Sequence, residues 1–199
     1  MVSLGSAGFI NQIMNGLVIV YTRAFGVGDF VRISDQEGIV TQVGMLSTKL
    51  VTPKREEITI PNALVIGRDI FNYSRASGDR GVAISSTVTI GYDTPWRQVH
   101  ALLKLAAERT RGIRKQPKAV VLQRALSDFY VEYELIVYLE KIEEKRRVLS
   151  DLHAEILDAF NEFDVQIMSP HFEAQPEQAI LVPKASWSPA PASPEPPER

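Results

Sequence analysis

Between Gly26 and Arg75 the chain is broken by glycine or proline at Gly26, Gly28, Gly38, Gly44, Pro53, Pro61 and Gly67, and the residues between the breaks favour extended backbone. This punctuation leaves little choice but short strands. Gly26 and Gly28 are expected to end a preceding helix and turn the chain into a first strand, Asp29 to Ile33, with Val31 and Ile33 on one face and Phe30 and Arg32 on the other. Gly38 opens a second run, Ile39 to Val43, and Gly44 marks a bulge or sharp bend. Thr48 to Thr52 reads as a third strand. The fourth, Ile58 to Ile60, must stop at Pro61, which has no amide hydrogen for a ladder. Asn62 is expected to cap a short helical run, Ala63 to Ile66, stopped by Gly67. Ile70, Phe71 and Tyr73 supply a fifth strand. Five short strands joined by tight turns predict a small SH3-like barrel within an α+β chain.

On either side the pattern is helical. From Phe9 to Phe25 the chain is largely apolar, but Asn11, Gln12, Asn15, Thr22 and Arg23 interrupt it, leaving it short of the roughly twenty apolar residues that a spanning helix needs. Ile10, Ile13, Met14, Leu17, Val18 and Tyr21 recur at three- and four-residue steps, one face of a helix. Such a stripe serves either as ordinary core or as a surface lying against lipid. Arg23 at the helix end suits an interfacial position.

After a polar linker, Ala76 to Arg80, the periodicity predicts a strand from Val82 to Ile90. A helix should then be capped by Asp93 or Thr94, with Pro95 as its first residue and Val99, Leu102, Leu103 and Ala106 on its apolar face. Gly112 is expected to stop it. Strands follow around Ala119 to Leu126 and from Phe129 to Leu139, where Phe129, Val131, Tyr133, Leu135 and Val137 share a face. Leu149, Leu152, Ile156, Ala159 and Phe163 mark a second helix, and Val165 to Met168 a last short strand. Strand, helix, two strands, helix, strand is the ferredoxin-like order. From Lys184 onward serine, proline, alanine and glutamate dominate, which predicts disorder.

Composition narrows the functions open to such a chain. A net charge of -2 with pI near 6.0 gives no electrostatic footprint for nucleic acid. With no cysteine among 199 residues, disulfides and thiolate metal sites are excluded. His100, His153 and His171 stand at no metal-ligand spacing, and His100 is expected at the surface of its helix. Ser47 and Ser74 lack a nucleophile-elbow context. Gly26-x-Gly28 follows a helix and precedes a strand, the reverse of a dinucleotide fingerprint. Asp93 reads as a cap and Lys54 to Glu57 as a solvated hairpin tip. Neither catalysis nor a metal or cofactor is expected.

Several of these residues, in order and at compatible spacing, resemble the MscS family of small-conductance mechanosensitive channels. They are Arg23 and Phe25, Gly28-Asp29, Gly38-x-Val40, Val43-Gly44, Thr48-x-Leu50-x-Thr52, Ile60-Pro61-Asn62 and Asn72-Tyr73-Ser74-Arg75. GYDTPW and FDVQIMSPHFEAQP extend the resemblance, which runs from about Gly8 to Pro176. Ala24 stands where the family often has proline, and Pro53 to Glu57 lacks the usual Asp-Gly turn.

The resemblance implies a division of the chain. Residues 1–25 would be the lower part of a pore-lining helix, 26–75 a β-domain, 76–178 an α+β domain, and 179–199 a tail in which Ala179 to Pro183 forms either a closing strand or an unpacked segment. Leu4 would stand at a pore constriction; Gly8 would be either a bend or a helix-packing glycine. Arg23, Phe25, Gly28 and Asp29 would join the pore helix to the β-domain, with Pro61, Asn62, Asn72 and Arg75 as structural motif residues. Implied partners are further copies of the chain in a heptamer, membrane lipid and permeating ions, without nucleic acid, at a cell inner membrane with most of the chain on the cytoplasmic side. Further hydrophobic helices are expected upstream of Met1. The alternative is a soluble Sm-like ring that binds RNA, against which the acidity, the apolar start and the lack of interleaved basic and aromatic residues count.

Overall fold

The computed structural model describes residues 5–168 and forms two compact units, one running up to Val82 with Lys141–Glu144, the other formed by Ala83–Glu140 and the chain from Lys145. Leu4, His171, the end of the FDVQIMSPHFEAQP run, Ala179 to Pro183 and the proline-rich tail lie outside the described residues.

The first unit begins with helix α1 (Gly5–Thr22). Strands β1 (Phe30–Ile33), β2 (Gln36–Val43), β3 (Ser47–Val51) and β4 (Glu57–Pro61) follow, then a short helix α2 (Asn62–Ile66), strand β5 (Ile70–Asn72) and a one-turn helix α3 (Tyr73–Ser77). The strands form one sheet in the order β4-β3-β2-β1-β5, with each neighbouring pair antiparallel. Its core gathers Val31, Ile33, Val40, Leu50 and Val65 around Phe25 and Ile19. Ile19 comes from α1, so the last turns of the helix share a core with the sheet.

Local chemistry differs from the sequence expectation at several points. The left-handed residue at the end of α1 is Arg23, at φ 49°, while among the two glycines only Gly28, at φ 93°, adopts a positive angle. Thr22 turns its hydroxyl back onto the last turn of the helix, where it donates to Val18 O at 2.8 Å and to Ile19 O, one of the terminal carbonyls, at 3.3 Å. Phe30 is buried along with Val31 and Ile33, but only the latter two belong to the core cluster, while Phe30 packs against Tyr73, so β1 has covered residues on both of its faces. Gly44 makes the tight turn to Ser47, the sharp bend that was one of its two readings, while the bulge in β2 falls between Val40 and Gln42. Tyr73 begins α3 and is not part of β5. Pro61, not Asn62, occupies the N-cap of α2, and Asn62 is buried.

The second unit contains β6 (Val82–Ile90), α4 (Trp96–Arg109), β7 (Val120–Leu126), β8 (Val131–Leu139) and α5 (Lys145–Glu162), with sheet order β6-β8-β7. Along β8, Val131, Tyr133, Leu135, Val137 and Leu139 are buried alternately, a period-two pattern with one covered face. The helices bury Val99, Leu102, Leu103, Ala106 and Ala107 from α4 and Val148, Leu152, Ile156, Ala159 and Phe160 from α5. Phe129 and Phe163, expected inside, are exposed because each lies beyond the end of its element. Pro95 takes the N-cap of α4 and no side chain caps it, so neither Asp93 nor Thr94 acts as predicted. The helix ends before Gly112, with the Thr110 hydroxyl donating to Ala106 O at 2.8 Å. The last run is a single antiparallel bridge, Ile90 to Ile167, reinforced by Met168 N–H donating to Thr89 O at 2.8 Å, and not a full strand.

Candidate functional site

Where α1 passes into the sheet, side chains and backbone are joined by a cluster of hydrogen bonds. Leaving α1, the chain must reverse into β1 within seven residues, 23–29, and four of their backbone groups are held by side chains or by β2. Asp29 Oδ2 accepts the Gly26 N–H at 2.9 Å and the Asn72 side-chain amide at 2.7 Å. The same Asn72 amide donates to Ala24 O at 3.2 Å, and its Oδ1 accepts the Arg75 N–H at 2.9 Å, capping α3. Beside it the Phe30 N–H donates to Ser74 Oγ at 2.8 Å. Gly28 N–H donates to Val40 O at 2.8 Å, a reach that the positive φ of Gly28 allows. Asn72 thus ties the α1–β1 connection to the end of the sheet with both ends of its amide.

A second contact lies about two turns up the helix. A Cβ on Gly16 would stand 2.4 Å from Met45 O and 2.8 Å from Asn62 Nδ2, so α1 and the β2–β3 turn meet backbone to backbone. Asn62 holds that turn: its Nδ2 donates to Gly44 O and Met45 O, both at 2.9 Å, and its N–H donates to Leu46 O at 2.9 Å. Its Oδ1 accepts the Thr48 hydroxyl at 3.1 Å, and both side chains are fully buried. Every donor and acceptor of the Asn62 amide group is engaged, as burial requires. Sequence reasoning missed Gly16 and Ile19, and named Thr48 only as a strand and motif residue without a role. A glycine inside an apolar helix was the available signal for the first; nothing in the pattern set Ile19 apart from its apolar neighbours.

The remaining site residues distribute plainly. Phe25 is in the core, whereas the Arg23 side chain is exposed and contributes through its backbone turn. Gly8 lies inside α1. Pro61 ends β4 opposite Ser47. Ile10, Met14, Leu17, Val18, Val20 and Tyr21 are exposed, with Tyr21 at 91%, so α1 carries an uncovered apolar surface beside the contacts made by Gly16 and Ile19. No helix of the described residues is long and apolar enough to cross a membrane. Among the described residues no group of three or more metal-ligating side chains is assembled. His100 is half-buried between two aromatic rings and is not the surface histidine expected of it.

Two consecutive family models match the chain. Residues 8–75 match the mechanosensitive ion channel beta-domain, and residues 84–167 match the C-terminal domain of the mechanosensitive ion channel MscS. The chain belongs to the MscS family. Among curated MscS relatives it is 25% identical over 164 residues to the miniconductance mechanosensitive channel MscM of Escherichia coli, covering 82% of this chain and 15% of that protein. It is 32% identical over 92 residues to the small-conductance mechanosensitive channel of Edwardsiella ictaluri, covering 46% of this chain and 31% of that one. The chain therefore spans well under half the length of these relatives. In fold it is similar to closed-state MscS of Helicobacter pylori, with TM-score 0.70 and 21% identity over 89% of this chain and 69% of that chain. MSL1 of Arabidopsis thaliana is a more distant match, at TM-score 0.60, 20% identity, and 81% of this chain and 57% of that one.

Proposed function

We propose that this chain is the lower pore helix and cytoplasmic vestibule of a tension-gated channel subunit that protects a cell membrane under osmotic stress. The observation that carries the reading is α1 itself: it exposes apolar residues between Ile10 and Tyr21, while Gly16, Ile19 and Phe25 fasten it to the sheet. A helix so arranged offers one side to lipid or to neighbouring helices and transmits movement through the other. Tension favours whichever state occupies more membrane area, and the equilibrium shifts by the difference in free energy between the states.

In this reading Leu4 forms a hydrophobic constriction that gates partly by dewetting, and Gly8 is the flexure above α1's attached portion. Arg23, Phe25, Gly28 and Asp29 make the joint to the β-domain. Residues 26–75 fold as an SH3-like module and 76–178 as a ferredoxin-like one, and seven copies build a ring on the cytoplasmic side of an inner membrane through which ions pass. The family match lends nothing to the RNA-binding alternative.

The test is patch recording from the complete gene product in a host without tension-gated channels of its own. Pressure-evoked currents are expected, and Leu4→Ser and Gly8→Pro are expected to shift the pressure of half-activation. Absence of any current up to membrane rupture overturns the reading; unchanged thresholds in both variants remove the roles of Leu4 and Gly8.

A further inference from the structure

His100 lies on the inner side of α4, where its ring meets Trp96 one turn earlier at 5.1 Å between centroids and Tyr133 of β8 at 5.8 Å. Both contacts are edge-to-face, at 73° and 85°, the geometry of a ring fitted between two others. Tyr133 is 2% exposed. The Nε2 of His100 is shielded from water and has no hydrogen-bond partner among the described residues. A neutral imidazole tolerates one unpaired nitrogen at modest cost. An imidazolium carries N–H donors on both nitrogens and a full charge, and a buried donor without an acceptor is penalised much more heavily.

The charges around the ring do nothing to offset that penalty. On α4, Lys104 lies one turn beyond His100 and repels a second positive charge, and Arg97 stacks over the nearer ring partner, Trp96, at 4.3 Å. On β8 the facing titratable group is Tyr133, whose own ionisation is made harder first by burial and then by Tyr92. From β7 the group that reaches this cluster is Gln123, which bonds to Tyr133. On α5 the acids Glu155, Asp158 and Glu162 act on Arg109 at the other end of α4. Among the described residues no carboxylate acts on His100, and burial followed by Lys104 holds its pKa below the ordinary 6.5.

We propose that the Trp96–His100–Tyr133 stack is an acid-sensitive latch, closed while His100 is neutral and loosening the seat of α4 on the sheet when it is protonated. The sign follows from linkage. The unfolded or opened chain takes up the proton more readily than the closed one. The stability that neutral His100 contributes is therefore complete above 6.5 and declines as pH falls below it. Regulation of this kind resides wholly in the second unit and holds whether or not the first unit gates a pore.

The experiment uses the 199-residue chain. Its imidazoles are titrated by NMR between about pH 8 and pH 5, the His100 signal being assigned by its loss in His100→Phe. His100 is expected to titrate below 6.5, and Lys104→Gln to move that value upward. Thermal unfolding over the same range should show a fall in midpoint on acidification that is blunted in His100→Phe. If His100→Phe fails to fold, His153→Gln and His171→Gln supply the assignment by elimination, and the Lys104→Gln shift remains the readout. A His100 pKa at or above 6.5, or one unmoved by Lys104→Gln, overturns the proposal; so does an acid-induced fall that is identical in wild type and His100→Phe.

Discussion

Asp29 and Asn72, separated by 43 positions in the chain, meet at 2.7 Å and close the loop that carries α1 into the sheet. Removing either side chain leaves more than one unpaired group: without Asn72, the Asp29 carboxylate, Ala24 O and the Arg75 N–H all lose a partner. Asn72→Ala is expected to destabilise the first unit by about 1–3 kcal/mol. Asp29→Ala and the double variant complete a cycle whose coupling should be about 0.5 kcal/mol or more. Chemical unfolding followed by a probe in the first unit measures it, and strict additivity would mean the bond contributes nothing of its own.

At Gly16 there is no room for a methyl group. Its Cβ would meet Met45 O, a backbone atom held in place by Asn62. Gly16→Ala, although it raises intrinsic helix propensity, should destabilise by about 1–3 kcal/mol through overpacking. In the complete gene product it should also alter the pressure response. A gain in thermal stability would show that helix and turn are not in contact.

Asn62→Asp separates hydrogen bonding from shape. The aspartate keeps the volume but sets a carboxylate oxygen against Gly44 O and Met45 O, where the amide donated. The expected loss exceeds about 3 kcal/mol, the range for an uncompensated buried charge. Thr48→Val, which removes only the donor to Asn62 Oδ1, should lose about 1 kcal/mol. A reversed ranking in denaturant titrations would mean that the amide is not holding the turn.

Glu155 on α5 has its pKa raised above 4.5, first by burial and next by repulsion from Asp158, against a smaller pull from Arg109. A raised carboxyl pKa means that the folded chain holds its proton more tightly, so its ionisation lowers stability as pH rises above 4.5. Glu155→Gln should therefore raise the unfolding midpoint at neutral pH, with the gain fading as pH falls toward 4.5. Calorimetry at several pH values checks both the gain and its disappearance.

Much of the fold could be read from residue pattern because strands and helices were separated by residues with strong local preferences. Pro61 and Gly67 marked real boundaries, and the alternation from Val131 to Val137 matched buried positions one for one, whereas Gly38, expected to open a strand, lies inside β2 opposite Val31. What escaped was set by tertiary contact. Asn62 has an N-cap's composition, yet its amide is drawn to the carbonyls of a turn 17 and 18 residues away. Arg23 assumes the left-handed angle that Gly26 was expected to take, since α1 ends at Thr22, four residues before the glycine. The joint itself was only partly legible: Gly28, Asp29 and Asn72 stood out as motif residues, but their convergence depends on β1 pairing with β5, which no local rule specifies.

Because Ile19 sits among Phe25, Val31 and Val65, the sheet is incomplete without the preceding helix. A shortened chain beginning at Gly26 would lose Ile19 and Phe25 together and leave the apolar floor beneath them open to water. Such a truncation should clump or bind hydrophobic dyes, whereas one retaining the last two turns of α1 should stay monodisperse. The boundary of the smallest autonomous piece thus falls within the helix, upstream of the glycine where the strands begin.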